Sequence, residues 1–344
     1  MAAANIRTLY NACCVDDVAT VRRLLPLTPV GELNRSEDDG KTCLHAAASR
    51  GNREIVQLLL DRGAVRQMRD RNGRTPADVA PIKSVKEILN QPPEQKAIQR
   101  YVFDESDNQR INWIFGRDKA EAFSRAVYRG CIKNRGVRKT VRKIEKAKII
   151  PTNDESKEGK TLVAFFNQAR EQNDATYFIR MYTIDGMFYR TINQYMAEGK
   201  SRKVFKKLCH KWSGYYVGCI MKDPVLFKYR FAGVTYRGMV IDRDAFEQYK
   251  YDTVVTNKAL QSSSKLPRVA LRFARTEPTF GKVSVLIQYT IVDHASALDI
   301  KDLSEFPEED EVLMFPGILF MTDYVNKNVE PYEIHLRQLP WANE

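Results

Sequence analysis

Three short runs in this 344-residue chain bring together side chains able to work on a charged substrate: Tyr236-Arg237-Gly238, Leu260-Gln261-Ser262-Ser263-Ser264 and Glu309-Asp310-Glu311-Val312-Leu313. An arginine offers a planar fork of N–H donors that fits a phosphate or a carboxylate. Serine hydroxyls both donate and accept, so they can steady what the arginine holds. A fixed carboxylate stabilises positive charge as it develops, and preorganised electrostatics of that kind is usually the largest catalytic term. Val312-Leu313-Met314 begins a strand directly after the acidic run, which puts Glu311 at a sheet edge facing a cleft. Taken singly, each run also has an ordinary explanation. Arg237 fits a plain strand arginine, the three serines allow the working hydroxyl to shift by one position, and Glu308–Glu311 fits a solvated turn.

Other chemistry-bearing residues are set aside on physical grounds. Gly40-Lys41-Thr42 and Gly159-Lys160-Thr161 look like the end of a phosphate loop, but Arg35 and Asp154 stand where its first glycine is required. No Gly-x-Gly-x-x-Gly follows a strand pattern, which argues against a Rossmann site. Tyr128-Arg129-Gly130 repeats the first run inside a basic helical segment, with no strand around it. The six cysteines include no Cys-x-x-Cys pair, and Cys209, His210 and Cys219 lack finger spacing. Reduced thiols and no metal site are expected.

The elements that must position these residues change along the chain. Residues 5–90 read as short helices. Residues 91–98, opening with Gln91-Pro92-Pro93, read as a breaker, followed by an aromatic stretch with Tyr101, Phe103, Trp113 and Phe115. Residues 117–150 read as helical and basic, with Arg135, Arg138, Lys139, Arg142, Lys143, Lys146 and Lys148 around apolar Val137, Val141, Ile144 and Ala147. That spacing predicts a solvated face on a packed helix ahead of a nucleic-acid patch. Pro151–Lys160 reads as a loop, Thr161 onwards as an amphipathic helix, and Ser201–Val217 as another, with Val204, Phe205, Leu208 and Trp212 on one side. Strands are predicted at Val225–Phe231, Gly233–Val240, Val269–Phe273, Val283–Val292, Val312–Met314 and Tyr332–Arg337. Helices first and strands after predict an α+β architecture. The organisation expected is 1–94, a connector over 95–160, and a unit over 161–344.

Residues 38–63 carry Thr42-Cys43-Leu44-His45-Ala46 and then Ile55, Leu58, Leu59 and Gly63. They resemble the ankyrin repeat, with Cys43 in place of the usual proline. Residues 5–25 look like a divergent first unit, and Asn72-Gly73-Arg74-Thr75-Pro76-Ala77 begins a truncated one. His45 is then a structural histidine tying a turn, and so short a stack is expected to lean on the domain that follows.

The ordered series Arg237, Ser262-x-Ser264, Glu309-x-Glu311 resembles that of the arginine-specific mono-ADP-ribosyltransferases. Leu298–Leu313, ending in Phe315-Pro316-Gly317, is similar to the last motif of that family, and Tyr182-Thr183 and Asn193 fit its helical part. The resemblance covers about residues 161–340, and the whole chain looks like ankyrin-fused members. It implies a mixed β-sandwich core that binds NAD as co-substrate, and a transferase moving ADP-ribose to a protein side chain, arginine above all, with release of nicotinamide. In that scheme Glu311 holds the ribose 2′-hydroxyl and opposes the oxocarbenium charge of a breaking N-glycosidic bond. Arg237 suits ribose and pyrophosphate, Gly238 lets backbone approach the nicotinamide amide, and Tyr236 and Ser264 complete the dinucleotide site with Ser262. Glu309 orients the acceptor and relieves a guanidinium of its proton, and Phe306 packs against the acceptor. Arg268, Arg272, Arg275 and Phe280, between the serine run and the next strand, fit either a border to the phosphates or a charged surface loop. Leu260, Ser263 and Asp310 depart mildly from the family pattern.

The excess of 55 Lys+Arg over 43 Asp+Glu, a net charge of +12, favours anionic partners without excluding a protein acceptor. No secretory pattern opens the chain, and its apolar stretches are too short to span a bilayer, so a cytoplasmic protein without membrane contact is expected. The repeats imply a bound protein partner. The alternative reading is an ankyrin scaffold whose transferase fold is inactive or only hydrolyses NAD. A third is a basic nucleic-acid binder.

Overall fold

The computed structural model describes residues 2–90, 113–131, 136–150, 154–184, 187–197, 212–274, 281–328 and 330–340. The breaker at 91–98, Tyr101, Phe103, Arg135, the first part of the helix expected from Ser201, Arg275 and Phe280 lie outside these residues.

The N-terminal stack consists of α1 (Ala2–Cys14), α2 (Val18–Leu24), α3 (Val30–Leu33), α4 (Cys43–Arg50), α5 (Arg53–Arg62), α6 (Pro76–Val79) and α7 (Lys83–Asn90). Local chemistry sets the helix ends. The Thr42 N–H donates to His45 Nδ1 at 3.2 Å, and the Thr42 hydroxyl accepts the His45 N–H, a reciprocal cap. The other ring nitrogen of His45 lies 3.0 Å from the Arg74 carbonyl, so the histidine ties one unit to the next. Thr75 and Asp78 repeat the cap in the following unit. Asn52 caps α5, which ends at Gly63 with φ 105°, a left-handed cap that glycine adopts without strain. Leu9, Leu44, Ile55 and Leu59 meet in one buried core.

A second helical group follows: α8 (Arg117–Cys131), α9 (Val137–Ala147), α10 (Lys157–Gln172), α11 (Thr176–Thr183), α12 (Met187–Ala197) and α13 (Trp212–Lys222). The single helical stretch expected over 117–150 is divided by Gly136, whose φ is 61°. Arg138, Lys139, Arg142 and Lys146 of α9 are exposed, while Val137, Val141 and Ile144 are buried. α10 starts at Lys157, inside the expected loop, because the Ser156 hydroxyl accepts the Gly159 N–H at 3.0 Å and caps it. Phe178 and Tyr216 are fully buried where these helices and Leu298, Leu313 and Phe315 of the sheet region meet.

Among the described residues, nine strands form one mixed sheet: β1 (Trp113–Phe115), β2 (Gly233–Asp242), β3 (Val254–Asn257), β4 (Gln261–Ser264), β5 (Lys282–Ile291), β6 (Ala297–Asp299), β7 (Glu311–Met314), β8 (Leu319–Asn326) and β9 (Tyr332–Gln338). Their order is β1-β3-β8-β9-β5-β2-β4-β7-β6, with β5 and β9 parallel and the other pairs antiparallel. In a flat sheet β1 and β5 would stand about 19 Å apart. Instead the Trp113 and Tyr289 rings stack with centroids 6.3 Å apart and planes 9° from parallel. The sheet therefore curls back on itself, and Val255, Ile287, Val312 and Phe320 pack inside the fold. β1 pairs with β3 at the edge of the sheet, and Phe123 and Val127 of α8 and Val137, Val141 and Ile144 of α9 share the core with Leu298, Leu313 and Phe315.

Two expected strands are helical. Residues 224–229 form a 3-10 helix because the Asp223 side chain caps it and Pro224 opens it; the alternating Val225 and Phe227 are exposed. Residues 267–274 form α15, after the short α14 (Arg243–Phe246). Pro267, Ala270, Leu271 and Ala274 recur at helical spacing and are all buried.

Candidate active site

The three chemical runs lie on neighbouring strands β2, β4 and β7. Gln288, Tyr236, Ser264 and Glu311 stand opposite one another in a single row across β5, β2, β4 and β7. Tyr236 with Ser264 is the one paired position between β2 and β4. Beside it the ladder stops, and the Arg237 guanidinium reaches across to donate to the Ser262 carbonyl at 2.5 Å. The Arg237 Nε is buried and has no hydrogen-bond partner among the described residues.

Tyr182 of α11 approaches from the helical side. Its hydroxyl accepts from Asn193 Nδ2 of α12 at 3.0 Å, and Asn193 Oδ1 is buried without a partner among the described residues. Burial pushes the phenol up to about 12, the nearby Glu311 carboxylate adds to this, and hydrogen bonds with Asn193 and Ser262 together with the Arg237 charge act the other way. Tyr182 is thus a neutral hydroxyl at physiological pH, held among Ser262, Arg237 and Glu311.

Glu309 and Glu311 are both buried, at 3% and 1% exposure, which excludes the solvated-turn explanation of the acidic run. The Ser304 hydroxyl donates to Glu311 Oε2 at 3.2 Å. The Ser264 hydroxyl donates to the Glu309 carbonyl at 2.6 Å, and the Lys265 N–H donates to the Asp310 carbonyl at 3.1 Å. Between the glutamates, Asp310 takes a left-handed φ of 49° that turns the chain into β7. Its carboxylate lies 3.0 Å from Lys265 Nζ and 3.3 Å from Lys301 Nζ, and Lys265 also meets Asp299 at 2.7 Å. Partial burial would lower the Lys265 ammonium, but the hydrogen bonds it donates to Asp299 and Asp310 outweigh this and raise it. The loop before the turn is pinned to α11, since the Glu305 N–H donates to the Thr183 hydroxyl at 3.3 Å.

Alternation along the strands sorts the other residues. The Ser263 hydroxyl donates to the Val312 carbonyl at 3.0 Å and accepts from Thr235 at 2.8 Å, on the face away from Ser262 and Ser264. Tyr236 and Gly238 lie on the flank of β2 that meets α15 and the repeats. A Cβ on Gly238 would fall 1.8 Å from the Ala270 carbonyl oxygen, so the glycine lets α15 lie against β2. Arg268, considered for the phosphate border, pairs with Asp61 of the repeats at 3.0 Å. Phe306 is half-buried, with its N–H donating to the Ser304 hydroxyl at 3.1 Å. Sequence reasoning missed Lys265, Asp299, Lys301 and Ser304. The signal available was the lysine directly after the serine run, facing acidic positions in the last motif.

Among the described residues, no group of three or more His, Cys, Asp or Glu could hold a metal ion, and no helix is long and apolar enough to cross a membrane.

Residues 9–94 match the family model for ankyrin repeats, in three copies. The ankyrin repeat and SOCS box protein 11 of Homo sapiens is 40% identical over 85 residues, which is 24% of this chain and 24% of that protein. The tyrosine-protein kinase HTK16 of Hydra vulgaris is 39% identical over 72 residues, 21% of this chain and 10% of that protein. The chain thus spans about a quarter, or less, of the length of these curated relatives. Among solved structures, the Vis toxin, an ADP-ribosyltransferase from Vibrio splendidus, is similar at 20% identity and a TM-score of 0.38, over 56% of this chain and 91% of that one. The ADP-ribosyltransferase HopU1 of Pseudomonas syringae is similar at 16% identity and a TM-score of 0.34, over 63% of this chain and 97% of that one.

Proposed function

We propose that the chain is an NAD-dependent mono-ADP-ribosyltransferase that modifies a protein, with arginine as the acceptor side chain, and that residues 161–344 carry the activity. The observation that supports this most is the convergence of Arg237, Ser262 and Glu311 from three separate strands around Tyr182, with the Glu311 carboxylate buried. The orphaned Arg237 Nε and Asn193 Oδ1 fit a polar ligand, since buried polar atoms in native proteins are nearly always bonded.

NAD supplies the ADP-ribosyl group and the leaving nicotinamide. Glu311, fixed by Ser304, faces the ribose and opposes the positive charge that develops there. Arg237 donates to the dinucleotide from the gap between β2 and β4. Tyr182 and Asn193 brace Ser262 from the helical side. A free guanidinium has a pKa above about 12 and is a poor nucleophile, so Glu309 takes its proton as it attacks. The repeats over 1–94 hold a protein partner and bring it to this site.

Incubation of the full chain with labelled NAD and arginine-rich proteins tests the reading. The expected result is label on protein and free nicotinamide; a folded chain that yields neither overturns it. The alternative is a protein-binding scaffold built on the repeats matched over residues 9–94, whose transferase fold only hydrolyses NAD. Nicotinamide release without label on any protein would decide for it.

A further inference from the structure

We propose that Arg62, at the end of the second ankyrin helix, is a positioning residue for the active site, so that the repeat stack forms the back wall of the catalytic strand. The inference rests on the transferase reading and adds a residue from the other half of the chain to its machinery. Arg62 is the last residue of α5 and is 6% exposed. Its guanidinium donates to the Leu25 carbonyl at 3.1 Å, to the Thr28 carbonyl at 2.8 Å and to the Tyr236 hydroxyl. It also lies over the Tyr236 ring, 5.0 Å from the centroid. Among the described residues, none of its partners is a carboxylate. A buried guanidinium gives up its hydration, and an apolar side chain of similar volume would pack there without that cost. Its specific product is the fixed location of Tyr236.

That location matters for the site. Tyr236 is the residue before Arg237, and it is the one place where β2 is paired to β4. Its partner Ser264 stands opposite Glu311 and holds the Glu309 carbonyl. On one side of Tyr236 the Thr235 hydroxyl lies 2.8 Å from the Ser263 hydroxyl and 2.9 Å from the Ser264 carbonyl, and on the other the Arg237 side chain crosses the gap, so with so short a ladder the placement of β2 against β4 also depends on what supports it from behind. Arg62 does this from the repeats and α15 from its own unit. The two supports fit closely: a Cβ at Gly63 would fall 2.5 Å from the Leu271 side chain. A small drift of β2 would carry the Arg237 fork off its target, and misplacement of about 1 Å costs up to roughly a hundredfold in rate.

The test uses the full chain, with NAD hydrolysis and thermal unfolding measured for Arg62→Met, Arg62→Lys, Tyr236→Phe, the double variant Arg62→Met/Tyr236→Phe and the interface control Asp61→Asn. Arg62→Met is expected to lose roughly ten- to a hundredfold in kcat/KM for NAD at temperatures where it is folded. Arg62→Lys should fall between it and wild type, because one ammonium replaces a fork. Tyr236→Phe should lose activity in the same direction, and the double variant should be no worse than Arg62→Met, since both break one link. Asp61→Asn should keep wild-type kcat/KM. Wild-type kcat/KM in folded Arg62→Met, or additive losses in the double variant, would overturn the proposal and leave the transferase reading standing. If Arg62→Met does not fold, Tyr236→Phe decides: wild-type kcat/KM there overturns the proposal. A wild-type chain that releases no nicotinamide instead overturns the transferase reading, and the positioning role with it.

Discussion

Ser264 stands directly across from Glu311, and its hydroxyl donates to the Glu309 carbonyl at 2.6 Å, so one serine fixes both glutamates of the last motif. The same hydroxyl accepts the Leu266 N–H at 3.0 Å. Ser264→Ala leaves the buried Glu309 carbonyl and the partly buried Leu266 N–H without that partner, at a cost of about 1–3 kcal/mol for the buried group. Its melting temperature should fall by several degrees, and transfer to protein should fall more than NAD hydrolysis. Calorimetry together with the two activities, measured on one preparation, checks this. Equal loss of both activities would count against the role given to the serine.

Glu309 and Glu311 are expected to divide the labour. Glu311→Gln keeps the shape but removes the charge that opposes the developing cation. It should lower both NAD hydrolysis and transfer by about 10²–10³-fold. Glu309→Gln should lose transfer and retain part of the hydrolysis. Parallel counting of released nicotinamide and of protein-bound label separates the two outcomes.

Lys265 holds the turn between them. Lys265→Met leaves Asp310 with Lys301 and removes the lysine partner of Asp299. The turn that aims Glu309 should loosen. We expect the KM for the acceptor protein to rise about tenfold, with the KM for NAD little changed. Steady-state kinetics with each substrate varied in turn gives the answer.

The repeat stack is also fastened at Glu333, whose carboxylate accepts the Val30 and Gly31 N–H groups at 3.2 and 3.1 Å and meets His335 at 2.8 Å. Burial alone would raise this carboxyl, but His335 and the two N–H donors hold it below the usual glutamate value. The folded form therefore binds this proton less readily than the unfolded chain. Its stabilising contribution is complete above the unfolded glutamate pKa of about 4.3 and is lost as pH falls through the lower folded value. The melting temperature of wild type should exceed that of Glu333→Gln at neutral pH, and the gap should close in acid. A gap that stays constant down to the acid limb would contradict this.

Much of this arrangement is local in the chain and legible there. Thr42 and His45 are three residues apart and cap one helix, so the repeat can be read directly. Glu311 is placed at a strand because an apolar run follows it. Elsewhere local pattern misleads. Val225–Phe231 alternates like a strand, but the Asp223 cap and Pro224 settle it as a 3-10 helix. Val269–Phe273 is rich in strand-forming residues, yet Pro267, Ala270, Leu271 and Ala274 set a helical face only once β2 is there to receive it. The contacts that aim the site join distant positions. Arg62 and Tyr236 are 174 residues apart, and no period or composition marks them as partners.

The short strand β1 has a consequence for how the half proposed to be catalytic can be separated from the rest. Trp113–Phe115 covers β3 along its outer edge, and the Trp113 ring closes the curl of the sheet over Tyr289. A fragment starting at residue 161 would contain every proposed catalytic residue and still present β3 as a bare edge. Exposed edges of that kind pair with other chains. Such a fragment would self-associate, while a longer one that begins ahead of Trp113 would keep its rim sealed.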